Sequence, residues 1–284
     1  MAKKGKKIQG IEAFNEYYAA AWGERWDQLK AALLGPKHYC GLTHPHFPQE
    51  LEGFEMIVPD AHLLPRSIQG HHYSLDPASA ISVDQLGVVP GQEVLDLCAA
   101  PGGKSIIILK RLHLQGRLVA NDRSRDRRER LKRNLEEFLP RNSQISLNIT
   151  GHDASSWCLH EKDAYDCILL DAPCSSERHV LESPEHLSQW SKGRTERLSK
   201  DQFTMLVSAL DVVKVGGRIL YSTCSISPLE NEEIIKKLIK KRAGRVKIIQ
   251  STDAYSEKNE YGNYLLPDKY LFGPIFFCLI ERVS

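Results

Sequence analysis

The stretch EVLDLCAAPGGKS, residues 93–105, decides the fold of this chain. Its apolar first part predicts a buried strand at 93–97, and its small residues predict a tight turn into a helix at 104–112. Small residues let the backbone approach a ligand closely, and the N-terminus of a helix favours negative charge. The stretch therefore predicts a ligand site at the end of a strand.

The same alternation of strand and helix continues along the chain. Short apolar runs predict strands at 118–121, 145–149, 166–170 and 218–222, and helical patterns lie at 126–138, 201–213 and 229–242. Phe276, Phe277, Leu279 and Ile280 predict a last, antiparallel strand. Strands alternating with helices predict an α/β fold with a doubly wound, mostly parallel sheet. Such sheets bind ligands at the carboxyl ends of their strands.

The first 70 residues have a different character. Aromatic and apolar residues from Phe14 to Leu33 recur at helical spacing, and Gly35 and Pro36 end the pattern. The His- and Pro-rich segment that follows has weak periodicity, so we expect loops packed on a core. We therefore predict an N-terminal helical and loop extension at 1–70 and a catalytic domain at 71–284.

Composition excludes several classes of protein. Hydrophobic residues make up 42% of 284, which is enough for a sizeable core and excludes wholesale disorder. We find no run of about 18 uncharged apolar residues, and so expect no membrane span. The basic start MAKKGKKIQG lacks the apolar stretch of a secretory signal and the arginines of a mitochondrial presequence. We expect a cytoplasmic protein, with the mitochondrial matrix as the alternative.

Acidic residues follow two of the predicted strands. Asp122 comes about 20 residues after the glycine turn, where an acid accepts hydrogen bonds from a ribose diol. Asp153 follows the next strand and is placed to bind a polar group such as an adenine amine. The alternative for each is a helix N-cap or a turn aspartate. A phosphate-binding loop fits less well, because Cys98 stands in place of its first glycine and Pro101 stiffens the turn.

Two of the seven cysteines also follow strands. Cys174, in DAPCSS, and Cys224, in STCS, end adjacent strand candidates at the ligand edge. A thiolate there is a useful nucleophile, and a redox pair is the competing interpretation. The spacing of the cysteines matches neither a zinc site nor a disulfide framework, so we expect no metal and a reducing compartment. We assign Cys40, Cys158, Cys167 and Cys278 to packing.

The motifs LDLCAAPGGKS, ND, GHDA, DAPCSS and YSTCS, in this order, resemble the Nop/Sun-domain RNA cytosine-5 methyltransferases. The resemblance covers about residues 70 to 284. It is greatest to the compact mitochondrial rRNA type, which also opens with an aromatic helix. It implies a seven-stranded Rossmann-like methyltransferase sheet and S-adenosylmethionine as the methyl donor.

The resemblance also implies roles for individual residues. Cys224 matches the nucleophile and Cys174 the cysteine that releases the product, with Asp171 and Lys104 beside them. The implied cofactor-binding residues are Cys98, Ala99, Ala100, Pro101, Gly102, Gly103, Lys104, Asp122, Arg127, Asp153, Ala154 and Asp171.

The chemistry explains why cysteines are needed. Carbon 5 of cytosine is a poor nucleophile, but thiolate attack at carbon 6 turns the ring into a reactive enamine. Charge then develops at N3, where Asp171, protonated or sharing a proton, is placed to donate a hydrogen bond. After methylation Cys174 removes the proton on carbon 5 and Cys224 leaves. A cytosine inside a duplex has to be extruded first.

The resemblance implies RNA as the partner, with rRNA favoured over tRNA. Basic residues cluster in three places: Lys3, Lys4, Lys6 and Lys7; Arg123, Arg125, Arg127, Arg128, Arg130, Lys132 and Arg133; and Lys236, Lys237, Lys240, Lys241, Arg242 and Arg245. Solvated helix faces explain most such clusters, and tracking of an RNA backbone is the alternative. We expect a monomer that captures RNA through its core surface or a partner protein. A nucleotide hydrolase and a non-catalytic RNA-binding protein remain the rival functions.

Overall fold

The computed structural model describes residues 10–64 and 69–284. The lysines at positions 3, 4, 6 and 7 therefore lie outside the described residues, and their predicted role stays a prediction. In the described part, no helix is long and apolar enough to cross a bilayer.

Helices and strands alternate through most of the chain. The helices are α1 Ile11–Trp22, α2 Trp26–Leu34, α3 Pro77–Asp84, α4 Gly103–Leu112, α5 Arg125–Phe138, α6 Glu177–Glu182, α7 Pro184–Ser188, α8 Lys192–Val212, α9 Glu232–Lys241 and α10 Pro267–Tyr270. The strands are β1 Tyr39–Leu42, β2 Met56–Val58, β3 Ala61–Leu64, β4 Tyr73–Leu75, β5 Glu93–Asp96, β6 Gln115–Asn121, β7 Gln144–Thr150, β8 Tyr165–Asp171, β9 Val213–Thr223, β10 Val246–Ile249, β11 Glu257–Asn259, β12 Gly262–Leu265 and β13 Ile275–Arg282.

The large sheet confirms the predicted fold class. In the part of the chain described, it has nine strands in the order β11-β12-β13-β9-β8-β5-β6-β7, with β10 also paired to β13. The five strands from β9 to β7 are parallel, and β13 is antiparallel to β9 as predicted. These strands with β10 make the expected seven-stranded sheet, and the hairpin β11–β12 adds two strands.

The parallel order brings the predicted motifs together. Strands β5, β6, β8 and β9 are neighbours that run in one direction, so their carboxyl ends meet at one edge. The turn after β5, Asp122 after β6, and the two cysteine segments after β8 and β9 all lie at that edge. Apolar residues cover both faces of the sheet, in one cluster around Leu95 and another around Val94.

The N-terminal region differs from the prediction in two ways. The single helix expected through Leu33 is two helices, because the chain breaks at Gly23, whose φ is 57°. Residues 36–70, expected to be loops, instead contain strands of an antiparallel sheet in the order β2-β3-β1-β4. Strands of three or four residues are too short to show a clear alternation in sequence.

That small sheet crosses the predicted domain boundary. Its strand β4 lies beyond residue 70 and pairs with β1, which lies before it. Helix α1 likewise packs onto the catalytic region: the ring of Phe14 lies 5.4 Å from that of Trp190, just before α8. The boundary at 70 stays a prediction, and the two parts share a core.

Candidate active site

The two cysteines that follow β8 and β9 face each other. The register of the parallel pair sets Asp171 beside Ser222, so the chain segments that follow leave the sheet side by side. The Sγ atoms of Cys174 and Cys224 lie 2.9 Å apart. Cys224 is exposed and Cys174 is partly buried, so the pair opens onto the surface.

The surroundings of the two thiols shift their pKa values in opposite directions, with Cys174 as the hydrogen-bond donor and Cys224 as the acceptor. The hydrogen bond from Cys174, helped by the Ser176 hydroxyl 3.4 Å away, lowers the pKa of the Cys224 thiol. The same hydrogen bond, together with burial, raises the pKa of Cys174 well above the ordinary range. A nucleophile needs the thiolate form, and the pair favours that form at Cys224.

Lys104 and Asp171 form an ion pair beside the cysteines. Lys104 Nζ lies 2.9 Å from Asp171 Oδ2 and 3.2 Å from the Ser79 hydroxyl. Ser222 donates to Asp171 Oδ1 at 2.8 Å. Burial alone would lower the pKa of Lys104, but the Asp171 carboxylate outweighs burial and raises it. Lys104 is therefore a stable cation. Both Asp171 oxygens accept hydrogen bonds, so Lys104, and not Asp171 as expected from the sequence, is the donor of this pair.

A cavity of about 540 Å³ lies at the carboxyl ends of β5 and β6. Among its lining residues are the predicted Cys98, Asp122, Arg127, Asp153 and Ala154. The cavity thus holds polar groups of both signs in a partly enclosed space, as small-molecule sites do.

The acids of this cavity are held by local hydrogen bonds. Asp122 accepts from the backbone N–H of Ser124 at 2.9 Å and pairs with Arg127 at 3.2 Å. Asp153 caps the short 3₁₀ helix that follows it, because it accepts from the backbone and hydroxyl of Ser155. The hydroxyl bond lowers the pKa of Asp153. The N-cap alternative is therefore correct for Asp153, which nonetheless lines the cavity.

A second cavity of about 240 Å³ joins the turn to the ion pair. Its lining residues include Tyr73, Ser79, Cys98, Ala99, Ala100, Pro101, Gly103, Lys104 and Asp171. Cys98 lines both cavities, so the turn after β5 lies between them. Gly102 has a φ of 118°, and a Cβ there would lie 3.3 Å from Leu131 in α5, so this glycine serves the turn.

S-adenosylmethionine fits the residues present. The larger cavity offers carboxylates for the hydroxyls and amine of a nucleoside, and the small residues of the turn leave room for the rest of the molecule. The Lys104–Asp171 pair lines the smaller cavity, and Asp171 is bonded to Ser222, on the strand that leads to Cys224. The structure thus brings together all four predicted catalytic residues.

The sequence did not indicate several lining residues. Leu198, Asp201, Thr204 and Met205 of α8 line the larger cavity. Nothing in the local sequence of a helix indicates that it will line a cavity, since that contact depends on how distant segments of the chain pack. The sequence did not indicate Tyr73 and Ser79, which line the smaller cavity, either.

We expect Asp122→Ala to weaken S-adenosylmethionine binding by about 10- to 100-fold, because the hydroxyls lose their acceptor and Arg127 loses its partner. Isothermal titration of the folded variant measures this directly. Asp126→Ala, on the exposed side of α5, is the matched control and should bind normally. Equal affinity in the Asp122 variant and the wild-type protein would contradict the assignment of this cavity.

The fold, the two cavities and the cysteine pair define the class of Rossmann-like methyltransferases with a two-cysteine centre. Comparison with known proteins identifies the family. The sequence model described as 16S rRNA methyltransferase RsmB/F matches residues 83–280. The chain belongs to this family.

Known relatives agree with that assignment. The cattle protein named 5-cytosine rRNA methyltransferase NSUN4 is 33% identical over 75% of this chain and 60% of its own length. A zebrafish protein named tRNA (cytosine(34)-C(5))-methyltransferase, mitochondrial, is 32% identical over 81% of this chain and 72% of its own length. The chain therefore spans less than two thirds of the cattle relative.

A solved structure shares the fold. NSun6 from Pyrococcus horikoshii, solved with SFG, superposes with a TM-score of 0.81. The alignment covers 96% of this chain and 98% of that one, at 18% sequence identity. This likeness extends to the N-terminal region as well as the large sheet, because it covers nearly the whole chain.

Proposed function

We propose that the chain is an RNA (cytosine-5) methyltransferase that acts on rRNA. The observation that carries this proposal is the cysteine pair, with a 2.9 Å contact and opposite pKa shifts at the carboxyl edge of the sheet. Both thiols are present, which speaks against a non-catalytic RNA-binding protein. Membership of the methyltransferase family overturns the nucleotide hydrolase alternative.

The first chemical step uses Cys224. Its thiolate attacks carbon 6 of cytosine, the C5=C6 electrons move toward the ring carbonyl and N3, and carbon 5 becomes nucleophilic. When bound, S-adenosylmethionine supplies the methyl group that carbon 5 takes. Lys104, held by Asp171, would donate a hydrogen bond to the charge that develops at N3.

The second step uses Cys174. The charge and hydrogen bond of Cys224 hold the proton on Cys174 in the resting enzyme. Once Cys224 is bonded to carbon 6 it carries no charge, so the pKa of Cys174 falls and its proton passes to water. The Cys174 thiolate then takes the proton from carbon 5, the C5=C6 double bond re-forms, and the Cys224 thiolate leaves.

Several residues would hold the methyl donor. Asp122 with Arg127 would bind the ribose, and Asp153 with Ala154 would flank the adenine. The turn from Cys98 to Gly103 would follow the methionine part, with Lys104 and Asp171 at its end.

The pKa shift at Cys224 predicts the acid limb of the pH profile. Because the pKa of this thiol is lowered, the reactive thiolate is present above that pKa and is lost as the pH falls through it. We expect kcat/KM to fall with a pKa below the ordinary thiol value of about 8.5. Single-turnover methyl transfer across pH measures it.

Ser176→Ala tests the cause of that shift. Removing the hydroxyl 3.4 Å from Cys224 should move the acid limb to higher pH, by about half to one pH unit. Ser199→Ala, on α8 with its hydroxyl bonded to the backbone of Glu196, is the control that should leave the profile unchanged. An acid limb at or above the ordinary thiol pKa in the wild-type protein would contradict the assignment of Cys224.

RNA is the partner that the charge distribution supports. Exposed arginines of α5, including Arg125 and Arg130, lie on the helix whose start borders the larger cavity. Neutralising phosphates with such residues would make binding steeply salt-dependent. We propose a monomer that captures RNA through this surface or through a protein partner.

The proposed compartment is the mitochondrial matrix. The expectation of a cytoplasmic protein receives no support, whereas the name of the zebrafish relative includes "mitochondrial". Bisulfite sequencing of RNA from cells with and without the gene tests substrate and activity together. We expect loss of 5-methylcytosine at an rRNA position. Loss at a tRNA position instead would select the tRNA alternative, and no loss in any RNA would contradict the function.

A further inference from the structure

Two buried glutamates lie behind the cysteine pair and have no part in the chemistry above. Glu177 follows Cys174 in the chain, Glu230 follows Cys224, and neither is exposed to solvent. Burying two carboxylates close together is costly, and apolar residues would pack there at lower cost. The hydrogen bonds of the pair indicate what these residues do.

Glu177 holds the segment that carries the opposite cysteine. Its Oε2 accepts the backbone N–H of Ile226 at 2.9 Å, and its Oε1 accepts the Ser225 hydroxyl at 3.0 Å. Ser225 and Ile226 directly follow Cys224 in the chain. Glu177 therefore ties its own segment to the backbone beside the nucleophile.

Glu230 makes the reciprocal connection. Its Oε2 accepts the backbone N–H of Ser175, the residue after Cys174, at 3.0 Å. The hydroxyls of Ser175 and Ser225 lie 3.0 Å apart, next to the two thiols at 2.9 Å. The dipeptides Cys174-Ser175 and Cys224-Ser225 are thus held face to face, because each glutamate accepts hydrogen bonds from the segment opposite its own.

Distant elements fix the two acids in turn. Gln202 of α8 donates to Glu230 Oε2 at 2.7 Å and to the carbonyl of Pro173 at 2.8 Å. The hydroxyl of Tyr18, in α1, donates to Glu177 Oε1. Burial and the neighbouring Glu177 raise the pKa of Glu230 to about 7. The N-terminal helix therefore donates directly to Glu177 through Tyr18. The same helix also contacts the segment after Cys224, because Tyr17 bonds the Ser227 hydroxyl and Trp22 donates to the Ile226 carbonyl.

We propose that Glu177 and Glu230 are positioning residues that set the contact between the two catalytic thiols, with Tyr18 as the link to the N-terminal helix. Each acid binds backbone beside the cysteine of the other segment, so the thiols cannot separate while both bonds hold. The consequence for turnover rests on the function proposed above. The contact between the thiols does not depend on that function.

The test measures thiol proximity directly. In glutathione redox buffers, the equilibrium between the dithiol and the Cys174–Cys224 disulfide gives the effective concentration of one thiol toward the other, read by mass spectrometry after alkylation. In Glu177→Gln and Glu230→Gln, an amide NH₂ replaces one accepting oxygen, so at least one donor to the carboxylate loses its acceptor. We expect the effective concentration to fall about tenfold in each variant, and kcat to fall about as much.

Two further variants keep the experiment decisive. Glu161→Gln removes a carboxylate that accepts donors from Trp157 and from Tyr165, at the end of β8 opposite the cysteine segment, and should leave both readings unchanged. Tyr18→Phe removes only the hydroxyl that donates to Glu177 and should lower both readings about threefold, with S-adenosylmethionine affinity intact. If the glutamine variants fail to fold, Tyr18→Phe decides the question alone.

Unchanged thiol proximity in the folded glutamine variants, or in Tyr18→Phe, would overturn the proposal. A loss that Glu161→Gln shares would overturn it too, because it would show a general effect of replacing a hydrogen-bonded carboxylate by an amide. If the wild-type protein methylates no RNA, the proposed function fails. The disulfide equilibrium needs no RNA, so it still reports whether the acids position the thiols.

Discussion

Cys224→Ala is expected to abolish methyl transfer, lowering kcat by about 10⁴-fold or more, while S-adenosylmethionine still binds. Without the thiolate no bond forms at carbon 6, and carbon 5 never becomes nucleophilic. The side chain lies at the exposed end of the site, so its truncation leaves the cavities and the core intact. Incorporation of labelled methyl into RNA, with calorimetry for the cofactor, measures both quantities.

Cys158→Ala is the matched control for that variant. Cys158 is partly buried, lies in the 3₁₀ helix after Asp153 and is assigned to packing, so its loss should leave turnover near normal. Residual activity of a tenth or more in Cys224→Ala would show that another group attacks the base, and would remove the central step of the mechanism.

Cys174→Ala is expected to trap a covalent protein–RNA adduct. Cys224 still attacks and carbon 5 still takes the methyl group, but the group that removes the carbon 5 proton is gone, so Cys224 cannot leave. The adduct should appear as a slow band on a denaturing gel, and multiple turnover should fall by about 10²- to 10³-fold. The yield should depend on added methyl donor if methylation precedes trapping.

The double variant Cys174→Ala with Cys224→Ala provides the control for the adduct. It should give no slow band, because the attacking sulfur is absent. Normal turnover by Cys174→Ala, or an adduct formed by Cys224→Ala alone, would reverse or refute the two cysteine assignments.

The large sheet could be predicted because its strands are buried on both faces. Runs such as the one in β8 are continuously apolar, and that pattern is visible without any knowledge of tertiary contacts. The small antiparallel sheet could not be predicted, since β2 and β4 have only three residues each. Breaks such as the one at Gly23 depend on a backbone conformation that the apolar spacing hides.

The site residues that lie at or after the carboxyl end of a strand could be predicted from the sequence. Asp171 is the last residue of β8, Cys174 and Cys224 follow β8 and β9, and Lys104 lies in the first turn of the helix after β5. Topology alone therefore brings them to one edge of the parallel sheet. The contribution of α8 to the lining of the larger cavity could not be predicted, because that contact arises only when the whole chain packs. The buried acids escaped it too, since a glutamate on an amphipathic segment is normally exposed.

The account depends most on one claim, that the sulfur of Cys224 bonds to the target cytosine. Peptide mass spectrometry of the adduct trapped by Cys174→Ala, after ribonuclease digestion, tests it directly. We expect a methylated cytidine nucleotide attached to the peptide that contains Cys224. Attachment to any other residue, or an unmodified Cys224 peptide in protein that carries RNA, would contradict the account.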